Sequence, residues 1–328
     1  MDSAIVADRK VRIVTRIITT RIREVFLHLI IAVCVALAAA IPAAQQSSEG
    51  TSLLGKPLMS PSVPDNVRTR LEADLTAARA ALDRAPDDPD ALIWVGRRLA
   101  YLGRYRDAIA TFTDGVQRFP KDARFLRHRG HRYITVREFD KAIADLERAD
   151  VLVAGAPDQV EPDGQPNARN IPLTTLQSNI RYHLALAYYV KGDFAKAAPV
   201  WQRARDAVGN PDNLVSVTHW LYLTLRRLGR ADEAARALDN IVPDLDVIEN
   251  GSYYSLCQLY KGMRTADDVL KAAGSGSSGA AVSYGVAAWH DINGRAAEAH
   301  ALRRQLVDGP DWAPFGVIAA EADLARAK

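Results

Sequence analysis

Four arginines, Arg124, Arg127, Arg129 and Arg132, interleave with His128 and His131 in one short stretch of the chain. The two histidines stand three apart, a spacing that puts both on one side of a helix and within reach of a shared metal ion. The surrounding guanidinium field repels a cation, and no acid or cysteine completes a ligand set, so no metal site is expected. What arginines suit is a carboxylate, which the planar fork grips through two parallel hydrogen bonds. His183, His219, His290 and His300 fall singly and read as packing or surface side chains. Cys257, in SLCQLY, reads as a packed small hydrophobe rather than a nucleophile. No nucleophile elbow, zinc-protease, P-loop or dinucleotide glycine pattern occurs. No catalytic residue and no cofactor are therefore expected, and the chain reads as a non-enzyme.

The elements that position these side chains are helical hairpins. From Pro89 to Pro120 (PDALIWVGRRLAYLGRYRDAIATFTDGVQRFP), Leu92, Val95, Gly96 and Leu99 recur at helical spacing, Gly103-Arg104-Tyr105 breaks the run, and Ala108, Ile109, Phe112 and Val116 form a second stripe. Small residues (Gly96, Ala108, Gly115) fall where two helices must approach closely. Counting Pro89 as position 1, positions 8, 11, 15, 17, 20, 24 and 27 hold Gly96, Leu99, Gly103, Tyr105, Ala108, Phe112 and Gly115. The next copy places Gly130, Tyr133, Arg137, Phe139, Ala142, Leu146 and Ala149 there. Copies starting at Ser178 and Val215 repeat the pattern, one from Ala280 does so more weakly, and Glu249–Ala273 reads as a degenerate hairpin. This resembles the tetratricopeptide repeat (TPR), a helical hairpin that stacks on copies of itself. The expected fold is an all-α, right-handed α-solenoid of about five to six TPR hairpins with capping helices at both ends. Repeats are placed near 89–122, 123–156, 178–211, 215–247, 248–274 and 280–309, with an insertion at 155–175 and a closing helix at 312–327.

In that family the first helix of each hairpin lines a concave groove, and its positions 2, 5, 9 and 12 face a bound peptide. The resemblance thus implies groove contacts from Arg97 in hairpin one, Arg124, Arg127 and His131 in hairpin two, Tyr182 and Tyr189 in hairpin three, and Arg226 in hairpin four. These make a basic band in a partly aromatic groove, similar to the carboxylate-clamping grooves of chaperone-binding TPR proteins, although the Lys/Asn/Arg pattern of those is absent. Trp94, Trp201, Trp220, Trp289 and Trp312 occupy positions where TPR cores take large residues; the other reading is a sugar-stacking platform.

Net charge is +3, but six of the 42 basic and three of the 39 acidic side chains lie in residues 1–44, leaving 36 of each in the body. That balance gives no charge argument for nucleic acid. Residues 1–44 have a basic stretch before Leu29–Ala40 (LIIAVCVALAAA), then small residues and QQSSEG, the layout of a signal peptide, or of an N-terminal anchor if uncleaved. Residues 45–65 read as a flexible linker and 66–328 as the solenoid, which begins with a helix at 67–84. From Thr218 onward, HWLYLTLRRLGRADEA, LCQLYKGMRTADDVL and SYGVAAWHDINGRAAEAHAL resemble the new lipoprotein I family, exported TPR proteins that dock peptidoglycan-cutting enzymes and a periplasmic protease. The family's lipidated cysteine is missing here. The expected function is a scaffold or adaptor of the bacterial cell envelope, periplasmic or envelope-associated, holding peptide segments or partner proteins in its groove; the alternative is a glycan- or peptidoglycan-binding module. N-terminal sequencing of the protein from its native host is expected to begin between Ile41 and Gln45; a start at Met1 or Asp2 would mean that the segment is retained.

Overall fold

The structure is a computed structural model that describes residues 48–61 and 63–327. The expected leader lies outside these residues. The described chain is built of stacked helical hairpins. An opening helix α1 (Asp65–Arg84) is followed by the pairs α2 (Pro89–Tyr101) with α3 (Tyr105–Arg118), and α4 (Ala123–Thr135) with α5 (Phe139–Leu152). Next come α6 (Leu176–Lys191) with α7 (Phe194–Asp206), then α8 (Pro211–Arg227) with the short α9 (Ala231–Ala237). The degenerate hairpin is α10 (Gly251–Tyr260) with α11 (Ala266–Lys271), the last is α12 (Gly276–Ile292) with α13 (Ala296–Asp308), and α14 (Phe315–Arg326) closes the chain. No helix among the described residues is long and apolar enough to cross a membrane.

Local signals place these helices. Asp88 caps α2 by accepting from the Asp90 N–H at 2.9 Å, with Pro89 in the first turn. Asp122 caps α4 in the same way. Hairpin packing uses the small residues as spacers: a Cβ on Gly96 would sit 2.3 Å from the Phe112 ring, so glycine is what lets α2 and α3 close on each other. Trp201 and Trp220, both fully buried, stack nearly parallel with ring centres 6.3 Å apart and join hairpins three and four.

Two elements depart from the sequence reading. The stretch expected to be a flexible linker contains a β-hairpin, β1 (Ser48–Thr51) antiparallel to β2 (Pro57–Met59). Its strands are docked: Leu58 is buried, the Arg106 guanidinium donates to the Glu49 carbonyl, and Trp312 donates to the Met59 carbonyl. The fold is therefore mostly rather than wholly α. The closing helix also does more than cover the last hairpin. It packs on α12 and α13 and reaches back to α6, where the Arg326 guanidinium donates to the Val190 carbonyl at 2.7 Å.

Arg137 shows what this closure costs. At this turn position the other hairpins carry glycine in the left-handed region (Gly103, Gly192, Gly229 and Gly294), whereas Arg137 holds φ +66°. A side chain there costs about 1–2 kcal/mol. The guanidinium offsets it by entering the interior, pairing with Glu321 at 2.8 Å and donating to the Trp312 carbonyl, while Glu321 also accepts the Leu53 N–H. Both charged groups are almost fully buried. Removing one partner of such a pair typically costs about 3–5 kcal/mol, because the other charge is left buried. Urea unfolding of Glu321→Gln is expected to show a loss of roughly 3 kcal/mol, and Arg137→Gly a smaller one because backbone strain is relieved. The Arg137→Gly/Glu321→Gln double variant should lose less than the two single losses added together; additive losses would mean that the pair does not act as a unit.

Candidate functional site

The first helices of the hairpins, α2, α4, α6 and α8, present the face on which sequence reading places a groove. Arg97 and Arg127 stand there together. Arg97 donates to the Pro162 carbonyl at 2.8 Å and lies 4.3 Å over the Trp94 ring. Arg127 is buried, with its Nε 3.1 Å from the Glu161 carboxylate. His128 lies 3.5 Å from the other Glu161 oxygen, and Asn179 donates to Glu161 at 2.7 Å. Glu161 and Pro162 belong to the insertion. That segment is not loose: the Leu176 N–H donates to the Gln159 carbonyl and the Glu161 N–H to the Thr174 carbonyl, bridging Val160 with Thr175. Further along, Gly164 packs against the Tyr101 hydroxyl, Asn167 donates to Glu249, and Arg169 forms a bidentate pair with Asp246 at 2.8 Å. The insertion is a strap across the face formed by α2, α4 and α6.

The remaining expected contacts are placed differently. The Arg124 guanidinium pairs with Asp122 at 2.6 Å and also with Asp90, and hydrogen bonding to Asp122 raises its pKa. His131 lies in a ring cluster, 4.2 Å from His183 and 5.2 Å from Phe315 of α14. The Tyr182 hydroxyl accepts from Trp220 Nε1 at 2.8 Å and lies 3.2 Å from the Tyr253 hydroxyl; burial pushes its pKa well up. Tyr189 is fully buried, its hydroxyl 2.7 Å from that of Tyr284. Arg226 donates to the Tyr222 hydroxyl. Tyr189 is thus core rather than groove lining, and α12 takes its hydroxyl. Tyr189 spends its face on packing, whereas Tyr182 is half-buried and also lines a cavity.

An open cavity of about 230 Å³ lies against the strap, whose Asp158 and Thr174 help to line it. Tyr182 and Asn179 of α6, Asn213 and Ser216 of α8, Glu249 and Tyr253 line it, with Phe315 at one side. Its lining mixes polar side chains with the aromatic rings of Tyr182, Tyr253 and Phe315, a composition suited to a side chain carried on an extended backbone. Sequence reasoning did not anticipate Glu161, Asn213 or Phe315 here. The proline-rich composition of the insertion signalled a loop, but nothing in it signalled which helices it would cross. Among the described residues no cluster of three His, Cys, Asp or Glu could hold a metal ion.

No protein-family model matches the chain, and no curated protein matches it. Solved structures overlay on it in part. YrrB, a TPR protein with an unusual peptide-binding site, is 14% identical, with 76% of this chain and 98% of that one covered at a TM-score of 0.41. PilW, a widely conserved type IV pilus biogenesis factor, is 16% identical over 74% and 92%, with a TM-score of 0.42. MamA is 19% identical over 54% and 90%, with a TM-score of 0.40.

Burial holds the imidazoles of His128 and His183 well below their usual range, with Arg127 pushing each further down, and takes His219 down to about 3. In the unfolded chain each titrates near 6.5. Between those values the unfolded state binds more protons, so stability is full above about pH 7 and is lost as pH falls through 6.5. Each histidine contributes up to about 1.4 kcal/mol per pH unit to that slope. Urea unfolding between pH 7 and 5 is expected to show a His183→Gln slope shallower by about one proton; an unchanged slope would mean that His183 is not held neutral.

Proposed function

We propose that this chain is a non-enzymatic adaptor that grips an extended segment of a partner polypeptide on the face formed by α2, α4, α6 and α8. One observation carries the reading: that face already holds an extended stretch of polypeptide, the chain's own Gln159–Pro162, through a carboxylate on Arg127 and a backbone carbonyl on Arg97. A second polypeptide would use the same chemistry in the cavity next to it, where Asn213, Ser216 and Glu249 offer donors and acceptors and Tyr182 an aromatic ring. The signal-peptide layout of residues 1–44 supports an exported protein of the bacterial cell envelope. The resemblance to the new lipoprotein I family supports peptidoglycan hydrolases or a protease as partners. Balanced charge in the body supports protein rather than nucleic acid as the ligand.

A photo-crosslinking residue at Asn213, on the cavity rim, is compared in the native host with one at the exposed Arg236 of α9. Polypeptides captured through position 213 and absent at 236 are the expected result, with envelope hydrolases or a protease among them. The same set at both positions, or none at 213, would sink the groove reading.

A further inference from the structure

Beside the strap, between α2 and α4, lies a second cavity of about 150 Å³. Arg97, Arg127 and Arg132 all line it, together with Tyr101, His131 and the Glu161 carboxylate. Voids of about this size hold guests as large as benzene. Its charge is not balanced. Arg127 is paired with Glu161, and Arg97 has only the neutral Pro162 carbonyl and Tyr101 hydroxyl as acceptors. The Arg132 side chain makes no hydrogen bond or ion pair among the described residues; its guanidinium lies 5.4 Å over the Tyr105 ring. Burial together with Arg127 and Arg97 lowers its pKa to about 10, which marks a guanidinium short of counter-charge. His128 and His131, neutral at physiological pH, add no compensation.

We propose that this cavity binds a phosphate-type dianion, free or carried as a phosphate monoester on a partner. Two uncompensated guanidiniums call for two negative charges, and a single carboxylate would leave one unmet. Guanidinium forks converging from α2 and α4 match the spread oxygens of a tetrahedral oxyanion, and the Tyr101 hydroxyl adds a donor. Burial of the Arg127 guanidinium strengthens its contacts relative to bulk water. Glu161 forms the wall that holds Arg127 in place. The site stands whether or not the neighbouring groove takes a polypeptide.

Inorganic phosphate titrated calorimetrically into the full chain at constant ionic strength, beside acetate, tests this. Saturable binding of phosphate, with acetate at least about tenfold weaker, is expected. Arg132→Gln should weaken phosphate about tenfold or more while leaving the melting temperature of the unliganded protein unchanged or higher, because it removes an unpaired charge. Arg97→Gln, whose side chain is accessible, is the second variant and should also weaken phosphate. A phosphoserine tripeptide separates the sources: tighter binding than inorganic phosphate assigns a phosphorylated partner, and equal or weaker binding assigns free phosphate. Phosphate heat no different from that of acetate, or full affinity in both variants, would overturn the proposal.

Discussion

A buried carboxylate holds this repeat stack closed. Asp323 of α14 is nearly inaccessible, yet it meets three guanidiniums: Arg227 of α8 at 2.5 Å, Arg303 of α13 at 3.0 Å and Arg326 at 2.5 Å. The Tyr284 hydroxyl also reaches it. An isolated carboxylate at such a site would be costly; one surrounded by guanidiniums from three elements holds them in one relative position. A stack of hairpins has no long-range contacts of its own, because each repeat touches only its neighbours. Asp323 and the Arg137–Glu321 pair supply them here.

Closure decides what the inner face can do. With α12 and α14 against α6, the large aromatics Tyr189, Trp201 and Trp220 of the middle hairpins and Tyr284 of α12 become core, all fully buried. The strap then covers part of what remains. The cavities that remain differ in character: one between α2 and α4 is lined by arginines, and one between α6 and α8 by mixed polar and aromatic side chains. Three arginines line the first of these, and Asn179, Asn213, Ser216 and Glu249 are among the groups lining the second. The opening β-hairpin ties the start to the end, since the Leu53 N–H lies on Glu321 of α14.

Helices, their order and their pairing were legible from residue spacing, because each hairpin is a local object. Period, caps, spacers and turn glycines all act within the length of one repeat. The amino-acid sequence therefore determined that the chain would stack hairpins and which helix faces would turn inward. Arg137, standing in a glycine slot, was visible as an irregularity but not as a closure residue. Its partner lies 184 positions away, and no local pattern links the two. The expected groove list suffered for the same reason. Tyr189 has the right position on its helix, yet whether that position faces a ligand or Tyr284 depends on where α12 arrives. The strap's course over Arg97 and Arg127, and the docking of residues 48–59, were likewise set by burial and charge pairing between distant segments. Only the tertiary structure decided these, because helix formation is settled by neighbours along the chain, whereas counter-charges and covering surfaces are chosen from whatever the closed stack brings within a few ångströms.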